Sequence, residues 1–261
     1  MKIFIMTKSK AFLKNLAVLL FYLLVWQLAY LVIQREVYLP SPWQVLNRLS
    51  QLVQEASFWQ AVAFSMYRVG WGILLSVLTG VIFGVIACWN RLCYELLQPL
   101  IIAIKSTPVI SFIIIALIWF SSSVAPVFIC LLMCFPIIWT NTVAGIKSVD
   151  QKLLEMAHVY RVSKLAIWHK IYLPAILPYF TAGLITALGL GWKVSVAAEV
   201  LSHPKSAIGS QLYSAKIYLD SGGLFAWTLV VIILSLNLEK LFAYCLNRLN
   251  KRGFGHGKYS N

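Results

Sequence analysis

The sequence predicts an all-α membrane protein with six transmembrane helices and both termini on the cytoplasmic side. Three observations predict it. Hydrophobic residues fill 61% of the 261 positions and charged residues only 11%, against about 25% charged in a soluble domain. The apolar residues gather in runs of the length a helix needs to cross a bilayer, about 20 residues. The 22 Lys and Arg residues, set against 8 acids, lie between those runs and crowd into alternate connections, which fixes orientation. Inside lipid every backbone N–H and C=O must be bonded within the segment. Runs this continuously apolar do not show the alternation of an outer-membrane strand.

The elements follow in order. Residues 1–15 form a cytoplasmic segment with Lys2, Lys8, Lys10 and Lys14. No small-residue cleavage site follows, so the next run stays as a span and is not removed as a signal peptide. That first span is Leu16–Ile33, with Gln27 its one strongly polar residue. Gln34–Phe58 is external and reads as a short amphipathic helix opened by Pro40-Ser41-Pro42. The second span is Val69–Trp89 and carries no charge. The third is Leu100–Phe120, interrupted by Lys105 and Pro108. A short link, Ser121–Val124, joins it in a tight hairpin to the fourth, Ala125–Ile146, which contains Pro136. The fifth is Leu173–Ala198 and the sixth Gly222–Leu238. One membrane domain thus covers residues 16–246, and a basic cytoplasmic tail covers 247–261. The cytoplasmic connections hold Arg91, Lys147, Lys152, Arg161, Lys164, Lys170 and Lys240, whereas the external ones hold only Arg35, Arg48, Lys205 and Lys216. Arg68 reads as an anchor at the outer interface. A basic nucleic-acid binder would cluster its cations on a soluble face; here they mark topology, and no nucleic-acid partner is expected.

The cytoplasmic connection 147–172 is too long and too patterned for a linker. Leu153, Leu154, Ala157 and Tyr160 recur at helical spacing, with Asp150 placed to cap the N-terminus. Ser163 is placed to cap a second short helix reaching His169. Pro174 suits the first turn of the fifth span, where its missing N–H costs little. The loop is therefore expected to be a helix–turn–helix at the inner surface.

Two stripes of small residues run through the spans. Gly72, Ser76, Gly80 and Gly84 step by four along the second span, and Gly183, Ala187, Gly191 and Ser195 do the same along the fifth. Such spacing lets helix backbones approach closely. Lys193 and Glu199 lie near the outer end of the fifth span. A charge within the bilayer is costly and faces protein or water, so the two either pair with other groups at the interface or line the mouth of a solute path, where Lys193 would attract an anion.

No catalytic constellation is visible. Five cysteines do not form a disulfide framework; Cys130 and Cys134, one turn apart, read as apolar filler, not metal ligands. His158, His169, His203 and His256 are scattered without metal spacing. The phosphate-cradling Gly-x-x-x-x-Gly-Lys-[Ser/Thr] is missing, so no cofactor is expected and an energy source must come from a partner.

The loop carries a resemblance. Glu155-Met156-Ala157, three residues, Arg161, nine residues, then Ile171-Tyr172-Leu173-Pro174 is similar in spacing to the Glu-Ala-Ala signature of binding-protein-dependent importer permeases, with Met156 in place of Ala and Arg161 in place of Gly. Leu39-Pro40-Ser41-Pro42, Ser65 with Arg68-Val69-Gly70, and the stretch Gly189–Glu199 resemble the nitrate/sulfonate/taurine-type branch. The resemblance implies a type I ATP-binding-cassette importer permease fold in a bacterial inner membrane, multi-pass and non-enzymatic. It further implies a second copy of the chain, two cytoplasmic ATPase subunits that bind the ATP, and an external solute-binding protein or lipoprotein. Asp150, Glu155, Met156, Ala157, Tyr160, Arg161, Leu173 and Pro174 would then form the ATPase-coupling loop. Gly183, Ala187, Gly191, Lys193, Ser195 and Glu199 would line the path or pack the subunit. The solute class implied is a small anion, a sulfonate or a vitamin precursor. A stand-alone carrier or channel is the competing reading; it would need polar groups at the midplane and broken helices, which the first, second, fourth and sixth spans lack.

Overall fold

The computed structural model describes residues 2–253 and is helical throughout its secondary structure. The helices are α1 (Lys2–Ile33), α2 (Pro42–Gln54), α3 (Ala56–Trp89), α4 (Arg91–Ser106), α5 (Val109–Trp119), α6 (Ala125–Lys147), α7 (Gln151–Val159), α8 (Lys164–Ile167), α9 (Leu173–Ser202), α10 (Ile208–Ile217) and α11 (Ser221–Gly253). Five are long and apolar enough to span a membrane, and six spans result if the bent pair α4–α5 counts as one.

The bundle is organised around α6. The small residues of α3 and of α9 pack side by side against one broad face of it. A Cβ on Gly72 would meet Cys130 Cβ, one on Gly80 would lie 2.8 Å from Ile138 Cβ, and one on Gly84 would lie 2.9 Å from Thr142 Cβ. From α9, a Cβ on Gly183 would lie 2.8 Å from Asn141 and one on Gly191 2.9 Å from Cys134 Sγ and 3.4 Å from Ile73 of α3. Ser76, Ala187 and Ser195 are wholly buried between these positions. Cys130 and Cys134 thus fill the seam as compact apolar groups, their thiols directed at the Val69 and Ala187 carbonyls. Lipid tails are as apolar as leucine, so such close backbone approach, with its dispersion contacts, is what joins membrane helices. α11 closes the third side of α9 through Trp192, whose Nε1–H donates to Val231 O at 3.1 Å, and reaches α3 through the stacked rings of Phe58 and Trp227.

The third span differs from its expected form. It is not one interrupted helix over Leu100–Phe120; α4 and α5 meet at a bend of 107°. Thr107 precedes Pro108 and is forced into extended backbone (φ −85°, ψ 135°), as the proline ring dictates for the residue before it. The last turn of α4 is closed by Thr107 N on Ala103 O at 3.1 Å, and two hydroxyls add to it: Ser106 Oγ donates to Ile102 O and Thr107 Oγ1 to Ala103 O, both at 2.8 Å. Pro108, without an N–H, cannot carry the ladder on. Pro136, by contrast, sits inside an unbroken α6.

Other limits also move. The second span begins at Ala56, not Val69; at 1.5 Å per residue its helix is about 51 Å long, so its first turns stand outside a hydrocarbon layer of about 30 Å. Just before it, α2 fills the expected amphipathic segment, closed by a capping box in which Ser41 Oγ accepts from Gln44 N and Gln44 Oε1 accepts from Ser41 N. The fifth span runs on to Ser202 and not only to Ala198, and α10 follows as a helix not foreseen in the sequence. α1 already begins at Lys2, so residues 2–15 and the first span are one helix. α11 continues through Gly253, past the expected domain limit at residue 246; positions 254–261 of the basic tail lie outside the described residues. α1 buries none of its apolar stretch Leu16–Ile33 and is tied to the rest through Trp26, whose Nε1–H donates to Pro40 O at 3.0 Å.

The α3–α6 seam yields a paired expectation. Gly80→Ala forces Ile138 and the α6 backbone apart and costs about 1–3 kcal/mol, as overpacking does. Gly70→Ala, on the same helix with nothing within 4 Å, leaves stability unchanged or raises it by about 0.5–1 kcal/mol. Thermal unfolding in detergent distinguishes the two.

Candidate functional site

The 147–172 connection is built from both ends. At its start Asp150 is extended (φ −68°, ψ 119°) and its carboxylate accepts from Lys152 N at 2.9 Å, capping α7. At the end of α7 the chain turns through Arg161, whose φ of 53° is left-handed. Two hydrogen bonds close that turn: Val162 N donates to Ala157 O at 2.9 Å and Arg161 N to His158 O at 3.0 Å. This pair of bonds is a Schellman closure, in which glycine ordinarily takes the left-handed residue. The turn that the family signature builds with glycine is therefore built here with Arg161, at the cost of a crowded Cβ.

Beyond the turn, Ser163 Oγ accepts from Ala166 N at 3.3 Å and starts α8. The expected second short helix is not separate. A π-helical stretch, Trp168–Tyr172, joins α8 directly to α9, with Leu173 N bonded to Trp168 O. Pro174 explains the widening: it offers no N–H to the carbonyl four residues back and its ring presses on it, and a π turn relieves both. One continuous rod thus runs from Ser163 to Ser202, and α7 lies across its foot.

The faces of α7 are unequal. Ala157 is buried and Leu154 half-buried, but Leu153, Met156, Val159 and Tyr160 are exposed, the last at 76%. Glu155 is exposed beside them, as are Arg161 and Leu173, with Pro174 half-buried. Of the four residues that recur at helical spacing, Ala157 and Leu154 are covered while Leu153 and Tyr160 are exposed. α7 is thus capped at both ends and leaves an apolar ridge exposed.

The other expected residues separate into two groups. Gly183, Ala187, Gly191 and Ser195 lie in the α6 seam, as do Gly72, Ser76, Gly80 and Gly84. Lys193 stands on the opposite, exposed side of α9, on a strip with Ala182, Thr186 and Ala197. Glu199 is wholly buried at the far end of α9 from α7. Its Oε1 accepts from Arg68 Nη1 at 3.1 Å, and its Oε2 accepts from Ser65 Oγ at 2.7 Å and from Gly209 N at 3.2 Å. Arg68 also donates to Lys205 O at 3.1 Å and Ser206 O at 3.4 Å, and Ile208 N donates to Ser65 Oγ at 3.0 Å. Arg68 is therefore not an interfacial anchor. It is 5% exposed and completes a node joining α3, α9 and the first turn of α10. Gly209 is required there, because a Cβ would run into the backbone and side chain of Glu199. Sequence reasoning missed the partnership, although Ser65 and Arg68 are spaced to share one helix face. It also missed Glu239 of α11, which was passed over as the edge of the sixth span. Lys105, on α4, donates to Thr140 Oγ1 of α6 at 2.9 Å. Among the described residues no group of three or more His, Cys, Asp and Glu is placed to hold a metal.

With this arrangement in view, comparison with known proteins is decisive on one point. Residues 76–251 match the family described as binding-protein-dependent transport system inner membrane component. The chain belongs to that family. It is a permease subunit of an ATP-binding-cassette importer, a non-catalytic, multi-pass component of the inner membrane. It is 28% identical over 220 residues to the taurine transport system permease protein TauC of Escherichia coli K12, covering 82% of this chain and 80% of that one. It is 30% identical over 190 residues to the nitrate import permease protein NrtB of Leptolyngbya laminosa, covering 68% of each. The permease fold also matches a bacterial ABC transporter involved in import of the acidic polysaccharide alginate, with a TM-score of 0.61 and 15% identity over 94% of this chain and 99% of that one.

Two outcomes follow from the site. Arg161→Gly relieves the left-handed turn and raises protection of the Val162 amide in hydrogen exchange, whereas Arg161→Val, branched at Cβ, lowers it. At the node, Glu199→Ala strands a buried guanidinium and costs about 3–5 kcal/mol, while the double replacement Arg68→Met with Glu199→Leu recovers most of that loss; thermal midpoints of the detergent-solubilised chain report both.

Proposed function

We propose that this permease forms the solute path of an importer driven by two cytoplasmic ATPase subunits, and that α7 is the element through which they act. The observation that carries the reading is the exposed ridge of Leu153, Met156, Val159 and Tyr160, with Glu155 beside it, on a helix capped at both ends. ATP-driven closure of the ATPases is a rigid-body motion, and only a stiff element seated in them can pass it to helices in lipid. Asp150, the Arg161 turn and Leu173-Pro174 supply the stiffness: the first two fix the ends of α7 and the last leads without a break into α9. ATP is bound by the partners, and this chain itself needs no cofactor.

The orientation that serves this function puts α7 and both termini in the cytoplasm and α2, α10 and the Arg68–Glu199 node outside, where a solute-binding protein or lipoprotein delivers its cargo. The lysines and arginines crowded into the α7 side support it. A second copy of the chain completes the path, with the exposed strip of α9 that carries Lys193 turned toward it. The solute is a small anion, a sulfonate or a vitamin-precursor-like compound. The taurine and nitrate transport of two relatives supports that class, as does the Lys193 cation on the open side of α9. Residues 16–246 act as one membrane domain in this reading.

Affinity purification from native membranes tests the coupling role. The tagged wild-type chain is expected to bring down an ATPase that hydrolyses ATP. Glu155→Lys and Ala157→Trp are expected to insert in normal amount yet lose at least about tenfold of the co-purifying hydrolysis. Full activity in both variants, or a wild-type chain that captures no ATPase under gentle extraction, would overturn the assignment.

A further inference from the structure

Among the described charged side chains in or near the spans, several lack strong partners: Lys147 lies only over the Tyr94 ring, Lys240 makes no ion pair, and Lys193 and Glu239 are the two of opposite sign that approach one another. Arg68 is matched by Glu199 and Arg91 by Glu95, and Lys105 is bonded to Thr140. Lys193 makes no ion pair and no side-chain hydrogen bond among the described residues, and Glu239 is approached only by Ser235 Oγ, at 3.5 Å. Lys193 lies nine residues from the end of α9 at Ser202, about 14 Å along the axis, in the outer part of the fifth span. A charge within a span faces protein or water.

The two residues converge on one glycine. The Glu239 carboxylate reaches from α11 across to α9 and occupies the space beside Gly189, where a Cβ would lie 2.7 Å from Oε1. Lys193 is one turn further along α9. Its position is rotated only about 40° from Gly189 and raised about 6 Å, and side chains on a helix lean toward the N-terminus, over the residue four back. A lysine at 193 therefore leans over Gly189, toward the carboxylate already there. Any larger residue at 189 would fill that gap.

We propose that Glu239 is a positioning residue for transport: it forms an ion pair with Lys193 across Gly189 in one state of the cycle, and releases Lys193 to the open side of α9 in the state described here. The inference rests on the permease reading but adds a residue and a switch to it. The pair holds α11 to α9 and withholds the cation from the path, and its opening presents that cation to an anionic solute. Relative sliding of α9 and α11 by a few ångströms is enough to make or break it.

The test uses the complete importer, purified through a tag on this chain and reconstituted with its co-purifying ATPase, with ATP hydrolysis in the absence of solute as readout. Lys193→Glu and Glu239→Lys are each expected to lower the rate at least about tenfold, and the exchange of both to restore it to within about threefold, which shows that the two act as a pair; the state dependence of that pair is read separately. A second variant pair, Lys193→Cys with Glu239→Cys, is expected to be bridged by cadmium ion in either the nucleotide-free or the ATP–vanadate state, but not in both. The pair is refuted if ATPase still co-purifies in normal amount but the exchanged protein is no better than the single variants, if Glu239→Gln hydrolyses ATP at the wild-type rate, or if cadmium bridges both states equally. Loss of the co-purifying ATPase from the wild-type chain would instead strike at the permease reading itself.

Discussion

The close approach of three backbones, α3 and α9 side by side against α6, is the constraint from which the rest of the structure follows. In water, apolar helices associate because water expels them. In a bilayer that drive is absent, and helices stay together only where their surfaces fit so closely that dispersion and polar contacts outweigh those with lipid. The glycines at 72, 80, 84, 183 and 191 make that fit possible by removing the atoms that would hold α6 away. Once α6 is clamped, its last turn at Lys147 and the foot of α9 are fixed relative to each other, and the segment between them can be short, capped and stiff.

The ends of this triple packing are treated differently. At one end the buried Arg68–Glu199 pair, with Ser65 and the Gly209 amide, locks α3, α9 and α10 into a single body. Every oxygen of the carboxylate is bonded, which is the condition under which a buried charge is tolerated. At the other end nothing of that kind is found among the described residues. α7 lies across the foot of a rod that contains a π turn, and its apolar ridge is left open. A bundle fixed at one end and open to force at the other suits a machine in which motion at the α7 side is converted into a change of access along α9.

The bend between α4 and α5 divides the third span into two separately bonded helices. Thr107 N closes the end of α4 on Ala103 O and Ser111 N opens α5 on Pro108 O. Apolar residues around the bend, from Thr79 and Ile104 to Phe112 and Phe135, line an open pocket of about 390 Å³.

The sequence alone determined the class of protein and the apolar runs that become its long helices, because hydropathy over about 20 residues is a local property that lipid reads directly. It also placed Asp150 and Ser163 as caps, since a cap depends only on its next few residues, and it marked the glycine stripes. What it left open was decided by contacts between residues far apart in the chain. Arg68 looked like an anchor because its partner Glu199 lies 131 positions away, and a buried pair and two exposed charges have the same composition. Glu239 looked like the edge of a span because the glycine it faces belongs to another helix. The 107° bend was visible only as Pro108, since a proline permits a kink, a break or a bulge, and packing of α5 against α6 and α9 chose the break. Arg161 in the left-handed turn makes the same point: a local preference for glycine was overridden because the two hydrogen bonds and the anchored ends of α7 require that conformation whichever residue supplies it.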